Sequence, residues 1–170
     1  LFAYIPSWLA PRLSAIAETS FVNSHQVYVD APSTVGEAQV ASTGAATDWK
    51  TVLVSGTGGG GAGVFALDVS DPAAFDASKV MWEFTRADDT DMGNVIGIPR
   101  ILKFKTGADT YRWFAVVASG VNNHVPDATG MFSSTGAPAL FLLALDKPTG
   151  SAWALGTNYY KVLFPIDATL

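Results

Sequence analysis

The chain has no cysteine, which removes disulfides, cysteine-ligated zinc and thiol catalysis but leaves its compartment open. Charged residues make up only 15% of the 170, and the ten basic ones are scattered without an Arg/Lys run. With a formal charge of −5 there is no electropositive footprint for nucleic acid or an anionic membrane. No apolar stretch reaches the roughly 18 residues that a membrane-spanning helix needs. His25 and His124 stand alone, without HxH or HxxxH spacing, and no G-x-S-x-G elbow is present. Ser119 precedes Gly120 but has no visible base. The start, "LFAYIPSWLAPRL", lacks the basic region and cleavage signature of a signal peptide. It reads as structured sequence, and the expectation is a piece excised from a longer chain.

What the chain does have is apolar content, turns and an internal repeat. Hydrophobic residues are 49%, and the 16 Gly and nine Pro are spread as many short strands joined by turns require. The segment "WKTVLVSG" (Trp49 to Gly56) recurs as "WFAVVASG" (Trp113 to Gly120), 64 residues on. A second pair, "VFALD" (Val64 to Asp68) and "LLALD" (Leu142 to Asp146), is offset by 78, so 14 extra residues fall in the loop after Gly120. Strands that match while one loop grows mark a modular β-architecture.

One short N-terminal helix is expected in "PSWLAPRLSAIAETS", started by Ser7 or Pro11, with Leu9, Leu13, Ile16 and Ala17 near helical spacing. Strands are expected in "HQVYVDAP", "STVGEAQVAS", "KTVLVSG", "GVFALDV" and "KVMWEFT". A second group comprises "GIPRILKFK", "RWFAVVASG", "ALFLLALD", a short "SAWALG" in the place of "VMWEF", and a final "YYKVLFPI". The fold class is all-β: a partial β-propeller of four-stranded antiparallel blades, about two and a half of them. Residues 1–170 are read as a fragment of one propeller domain, with blade-like repeats at about 25–86 and 94–155. A β-sandwich would not produce the repeated register.

Gly56-Thr57-Gly58-Gly59-Gly60-Gly61 matches the dinucleotide fingerprint GxGxxG after a good strand. The mechanism needs a following helix to hold the pyrophosphate and an acidic residue about 20 positions on. Here a strand follows and Asp68 comes too early, so an exposed inter-strand turn is expected. Asp68 and Asp146 hold equivalent places before turns and read as turn-fixing carboxylates. Asp88, Asp89 and Asp91 form the acidic cluster; a solvated turn between blades is the expectation, with a calcium loop as the alternative. Trp49, Trp82, Trp113 and Trp153 recur where blade packing uses aromatics. The loop from Val121 to Pro138, with exposed-looking Met131 and Phe132, reads either as a recognition element on a rigid scaffold or as a disordered tip.

"LFAYIPS", "HQVYVDAPSTVGE" and above all "WKTVLVSGTGGGGAGVFALDVSDP" (Trp49 to Pro72) resemble the propeller of the PilY and neisserial PilC family, type IV pilus biogenesis factors and tip adhesins. "VMWEFT", "DMGNVIGIPRI" and "WFAVVASGVNN" continue the match in order, over nearly the whole chain. The resemblance implies a non-enzymatic protein of the bacterial surface, reached through the periplasm, at the pilus tip or outer membrane. It implies minor pilins and host or abiotic surfaces as partners, and roles in pilus assembly, twitching motility and adhesion. It also implies a calcium loop in the family's propeller. Nothing between Leu1 and Leu170 matches that loop, so no catalytic, cofactor or metal residue is assigned here and calcium is expected downstream. The competing reading is a quinoprotein-like propeller enzyme of the PQQ-dehydrogenase type, which needs a stacking Trp and calcium-ligating Glu, Asn and Asp on the ring axis; this segment offers no such constellation.

Overall fold

The computed structural model describes residues 2–166. Two four-stranded antiparallel meanders follow one another in the chain. The first contains β1 (Ser33–Gln39), β2 (Trp49–Gly56), β3 (Gly63–Asp68) and β4 (Val80–Thr85). The second contains β5 (Arg100–Lys105), β6 (Tyr111–Ala118), β7 (Ala139–Ala144) and β8 (Tyr159–Leu163). The strands are rich in Val, Leu, Phe and Tyr, whose branched or aromatic side chains suit a pleated, covered surface.

The core lies between the sheets, where Val52, Val54, Ala66 and Phe84 meet Ala115, Val117, Phe141 and Leu143. The Phe84 ring sits 5.3 Å from Phe141 and 5.1 Å from Tyr159, both across the seam. Burying one such ring is worth about 1.5–3 kcal/mol. At the inner edge β1 runs beside β5: the Thr34 hydroxyl donates to the Pro99 carbonyl at 2.6 Å, and Gly36 faces Ile101. Two meanders packed face to face, first strand beside first strand, are successive blades of an open, partial propeller.

The repeated register is real and has a physical cause. β2 and β6 are both second strands of their sheets, and Trp49 and Trp113 meet edge to face at 5.7 Å. Both strands end near a glycine that the linker between blades crosses. The Gly93 amide donates to Ser119 at 2.7 Å, Asn94 and Val121 exchange backbone bonds of 2.8 and 3.1 Å, and the Gly58 amide donates to Val95 at 3.1 Å. A Cβ on Gly56 would lie 2.6 Å from the Val95 oxygen, and one on Gly120 would overlap the Asn94 carbonyl. The Ser-Gly pair recurs because one strip of backbone is clamped by both copies.

Three local expectations are corrected. "HQVYVDAP" is not a strand, because residues 25–32 instead cross over the glycine turn, where the Gly59 amide donates to Asp30 at 2.8 Å. "SAWALG" is not a strand either. Gly156 turns at φ 80°, the Asn158 side chain ties Ala152 and Ala154, and "YYKVL" takes the fourth position as β8. Its Trp153 fills the seam, 5.3 Å from Trp82 and 5.0 Å from Phe84, and donates its indole N–H to the Glu83 carbonyl at 2.6 Å. The N-terminal helix is present as a 3₁₀ helix, Ser7–Ala17, followed by a second over Thr19–Asn23. Pro11 lies inside the first and lacks the N–H that an α-helical ladder requires. Buried Leu9 anchors this segment, while Tyr4 and Trp8 pack on Phe65 at 4.9 and 6.5 Å.

Candidate functional site

The inserted loop, residues 121–138, carries almost no regular structure, so its shape depends on side chains that bind its backbone. Arg86, just past β4, does most of this. Its guanidinium is buried and donates to four carbonyls: Met92 at 3.2 Å, Val125 at 2.7 Å, Met131 at 3.2 Å and Asn122 at 2.8 Å. Asn122, in the left-handed region at φ 64°, starts the excursion. Buried Asn123 donates to Ala137 at 3.0 Å and closes the loop's base. Asp127 accepts from the Thr129 and Met131 amides at 2.8 and 3.0 Å, forming the tip. Burial disfavours the charged form of Asp127, but the Thr129 hydroxyl, these amides and the charge of Arg86 outweigh it and hold its pKa below the ordinary value. These contacts give the loop a defined shape, so it is not a disordered tip. Phe132 is exposed on it, and Met131 is half-buried.

A cavity of about 600 Å³ opens where this loop faces the N-terminal 3₁₀ segment and the glycine turn. Trp8, Leu9 and Arg12 form one wall, Gly60 to Ala62 the floor, and Arg86, Val125 and Met131 the opposite wall. Arg12 is held by the Gly60 carbonyl, the Gln26 amide oxygen and the Val27 carbonyl. Its guanidinium also lies 5.4 Å from the Tyr28 ring centroid.

The remaining sequence candidates have structural work. The glycine run is a 3₁₀ turn over Gly58–Gly60 into β3, with Gly58 and Gly61 at φ 59° and 157° and no helix after it. It is covered rather than exposed: Cβ atoms at Gly58 and Gly60 would overlap Asp30 and Tyr28. Asp68 accepts from the Ser70 amide at 3.0 Å and pairs with Lys50 at 3.2 Å, while Asp146 holds Arg112 in a two-pronged bond of 2.9 and 2.7 Å. Ser119 accepts the Ala139 amide at 3.0 Å, and His25 packs on Phe21 at 5.2 Å. His124 lies against Gly136.

The acidic cluster is not a solvated turn. Asp89 and Asp91 are buried and share Lys161 of β8, at 2.9 and 2.7 Å. Tyr159 donates to Asp89 at 3.0 Å and Ser133 to Asp91 at 2.5 Å, while Asp88 accepts the Thr85 amide at 2.8 Å. Burial first, then the bond to Asp89, pushes the Tyr159 phenol up to about 12. These carboxylates do not fit a calcium ion, because a lysine ammonium already occupies the position between them. Among the described residues no group of three or more His, Cys, Asp or Glu is placed to hold a metal.

Sequence reasoning missed Arg86, Arg12 and Lys161. Only the insertion itself signalled that something must hold the loop.

Comparison with known proteins agrees with this architecture. Residues 2–153 match the family model described as the PilY1 beta-propeller domain. A type IV pilus biogenesis factor PilY1 homolog of Xylella fastidiosa is 37% identical over 122 residues, covering 72% of this chain and 8% of that protein. Type IV pilus biogenesis factor PilY1 of Pseudomonas aeruginosa is 32% identical over 149 residues, covering 87% of this chain and 11% of that protein. The crystal structure of the Pseudomonas aeruginosa PilY1 C-terminal domain superposes with a TM-score of 0.60 at 28% identity, over 99% of this chain and 26% of that one. The chain thus spans a small part of the curated relatives it matches, and by its sequence, its paired blades and its register it belongs to the PilY1 beta-propeller domain family.

Proposed function

We propose that this chain is part of a type IV pilus biogenesis factor that works at the bacterial cell surface by binding rather than by catalysis. The family match over residues 2–153, with relatives that carry that name, supports this reading most directly. A rigid pair of blades bearing one held, inserted loop suits recognition, since binding elements sit on loops positioned by a scaffold. The partners in this reading are minor pilins at the pilus tip, with host or abiotic surfaces as ligands of the assembled fibre. Its chemistry requires no cofactor at these residues.

The test is piliation and surface attachment in a strain lacking the whole protein. Loss of pili that returns when retraction is blocked is the expected result. Normal pili with normal attachment would remove the reading. Replacing residues 124–135 by a short Gly-Ser link then asks whether the inserted loop is the recognition element, with reduced attachment expected and pili retained.

A further inference from the structure

We infer that the cavity between the inserted loop, the glycine turn and the N-terminal 3₁₀ segment receives an apolar peptide group that carries a carboxylate. The inference rests on the binding role proposed above and names the chemistry of the partner.

Three observations carry it. The first is size: about 600 Å³ lies in the range of about 300–1,000 Å³ typical of built ligand sites. The second is the wall, since Trp8, Val125 and Met131 offer apolar surface and Val125 stays 44% exposed. The third is charge. The whole chain carries −5, yet the ionisable residues lining this cavity are Arg12 and Arg86 against Asp127 alone. Arg86 is only 5% exposed, and no carboxylate among the described residues forms a salt bridge with it. Asp127 feels Arg86 through its charge but does not pair with it, and a cation bonded only to neutral carbonyls is stabilised less than one paired directly with an anion. Four of its five N–H groups are engaged, three by the loop and one by Met92 on the linker, which leaves one for a ligand. Arg12 keeps unassigned N–H groups on the opposite wall in the same way.

The excess of guanidinium over carboxylate selects a carboxylate over an ammonium, and the apolar walls select an attached hydrocarbon or aromatic group over a free inorganic anion. A chain terminus ending in a large apolar residue has both parts.

The test titrates full-length protein by calorimetry with two probes, N-acetyl-phenylalanine and its uncharged amide. The acid is expected to bind, with the amide at least tenfold weaker. Arg12→Gln should weaken the acid about tenfold and leave the amide unchanged, since it removes charge without touching the residue that holds the loop. Ala128→Trp, on the cavity lining, should abolish both, with an unchanged thermal melt as the control for folding. Equal affinity for acid and amide, acid binding that survives Ala128→Trp, or no acid binding at millimolar concentration would each overturn the inference. Pili are scored in the Ala128→Trp strain. Acid binding lost with attachment lost supports both readings. Acid binding lost with normal attachment keeps the receptor and removes this cavity from the pilus role, whereas a wild-type protein that ignores the acid removes the receptor alone.

Discussion

Replacing Lys161 with Met is the sharpest test of how the blades are joined. Lys161 lies on β8, while Asp89 and Asp91 lie on the linker leaving β4, so the triad ties the second blade's outermost strand to the connection between blades. Methionine keeps the unbranched stem and removes the ammonium, leaving two carboxylates whose side chains are 6% and 11% exposed without their cation. Removing one member of a buried pair costs about 3–5 kcal/mol. Three donors remain, from Tyr159, Ser133 and the Asp91 amide, and Lys161 is itself partly solvated, which places the loss near the low end, about 3 kcal/mol. At about 2–4 °C per kcal/mol for a chain of this size, the midpoint should fall by about 6–12 °C.

The pH dependence gives the reasoning a second way to fail. Burial opposes the charge on Asp91, but the bonds from Lys161 and Ser133 outweigh it and hold its pKa below the ordinary carboxylate value. Its contribution is therefore complete above the unfolded pKa of about 3.9 and is lost as pH falls through the lower, folded value. Burial also opposes the charge on Lys161, and the bonds to Asp91 and Asp89 outweigh that and raise its pKa. That contribution is complete below the unfolded value of about 10.4 and is lost as pH rises through the folded one. Thermal melts of the wild type and Lys161→Met, followed by near-ultraviolet circular dichroism, should differ most between pH 5 and 9 (about four units wide) and converge at both ends. Equal midpoints at pH 7, or a gap that ignores pH, would refute the account. Adding Asp89→Asn and Asp91→Asn to Lys161→Met should restore much of the loss, because the unpaired charges are gone.

Further outcomes follow from the clamp, the loop and the glycine turn. Gly120→Ala should destabilise by about 3 kcal/mol or more, since it combines a left-handed backbone with overlap on Asn94, while Gly56→Ala, strained only by contact with Val95, should cost about 1–3 kcal/mol. Urea denaturation reads both, and the reverse order would contradict the described linker path. Arg86→Gln should leave the sheets folded but speed amide exchange at residues 122–131 by at least tenfold; unchanged protection there would mean the carbonyl contacts do not hold the loop. NAD and ATP should give no calorimetric signal, since no helix N-terminus follows the glycines. Saturable binding lost on Gly58→Ala would reinstate the fingerprint.

Much of the fold was legible because repetition averages out local ambiguity. The Trp-to-Gly segments matched one another, so their equivalence as second strands did not depend on the propensity of any one residue. The misread segments are those where tertiary contact overrode pattern. "HQVYVDAP" has strand-like residues, but its backbone is used to cap the glycine turn. "SAWALG" has a strand-like tryptophan, but Trp153 is taken by the seam between sheets. Pattern alone reports that such residues are apolar and extended, not which neighbour they meet.

The site was less legible for a reason of chemistry. The acidic cluster drew attention because three aspartates lie close in sequence, yet the cation that neutralises two of them is 70 residues away. Arg86 drew none, because a lone arginine after a strand looks like any solvated charge. What separates it from a surface residue is that its acceptors are carbonyls, which every residue has and no sequence pattern marks. An arginine can organise an irregular loop this way without any acidic partner in the sequence, provided enough of its five donors find backbone oxygens. That choice leaves the positive charge without a salt bridge among the described residues, felt by Asp127 only through its field, beside the cavity it helps to form. The same guanidinium thus gives the insertion its shape and gives the cavity its sign, so a substitution that breaks the loop and one that blocks an anionic ligand should be separable only at Arg12, across the gap.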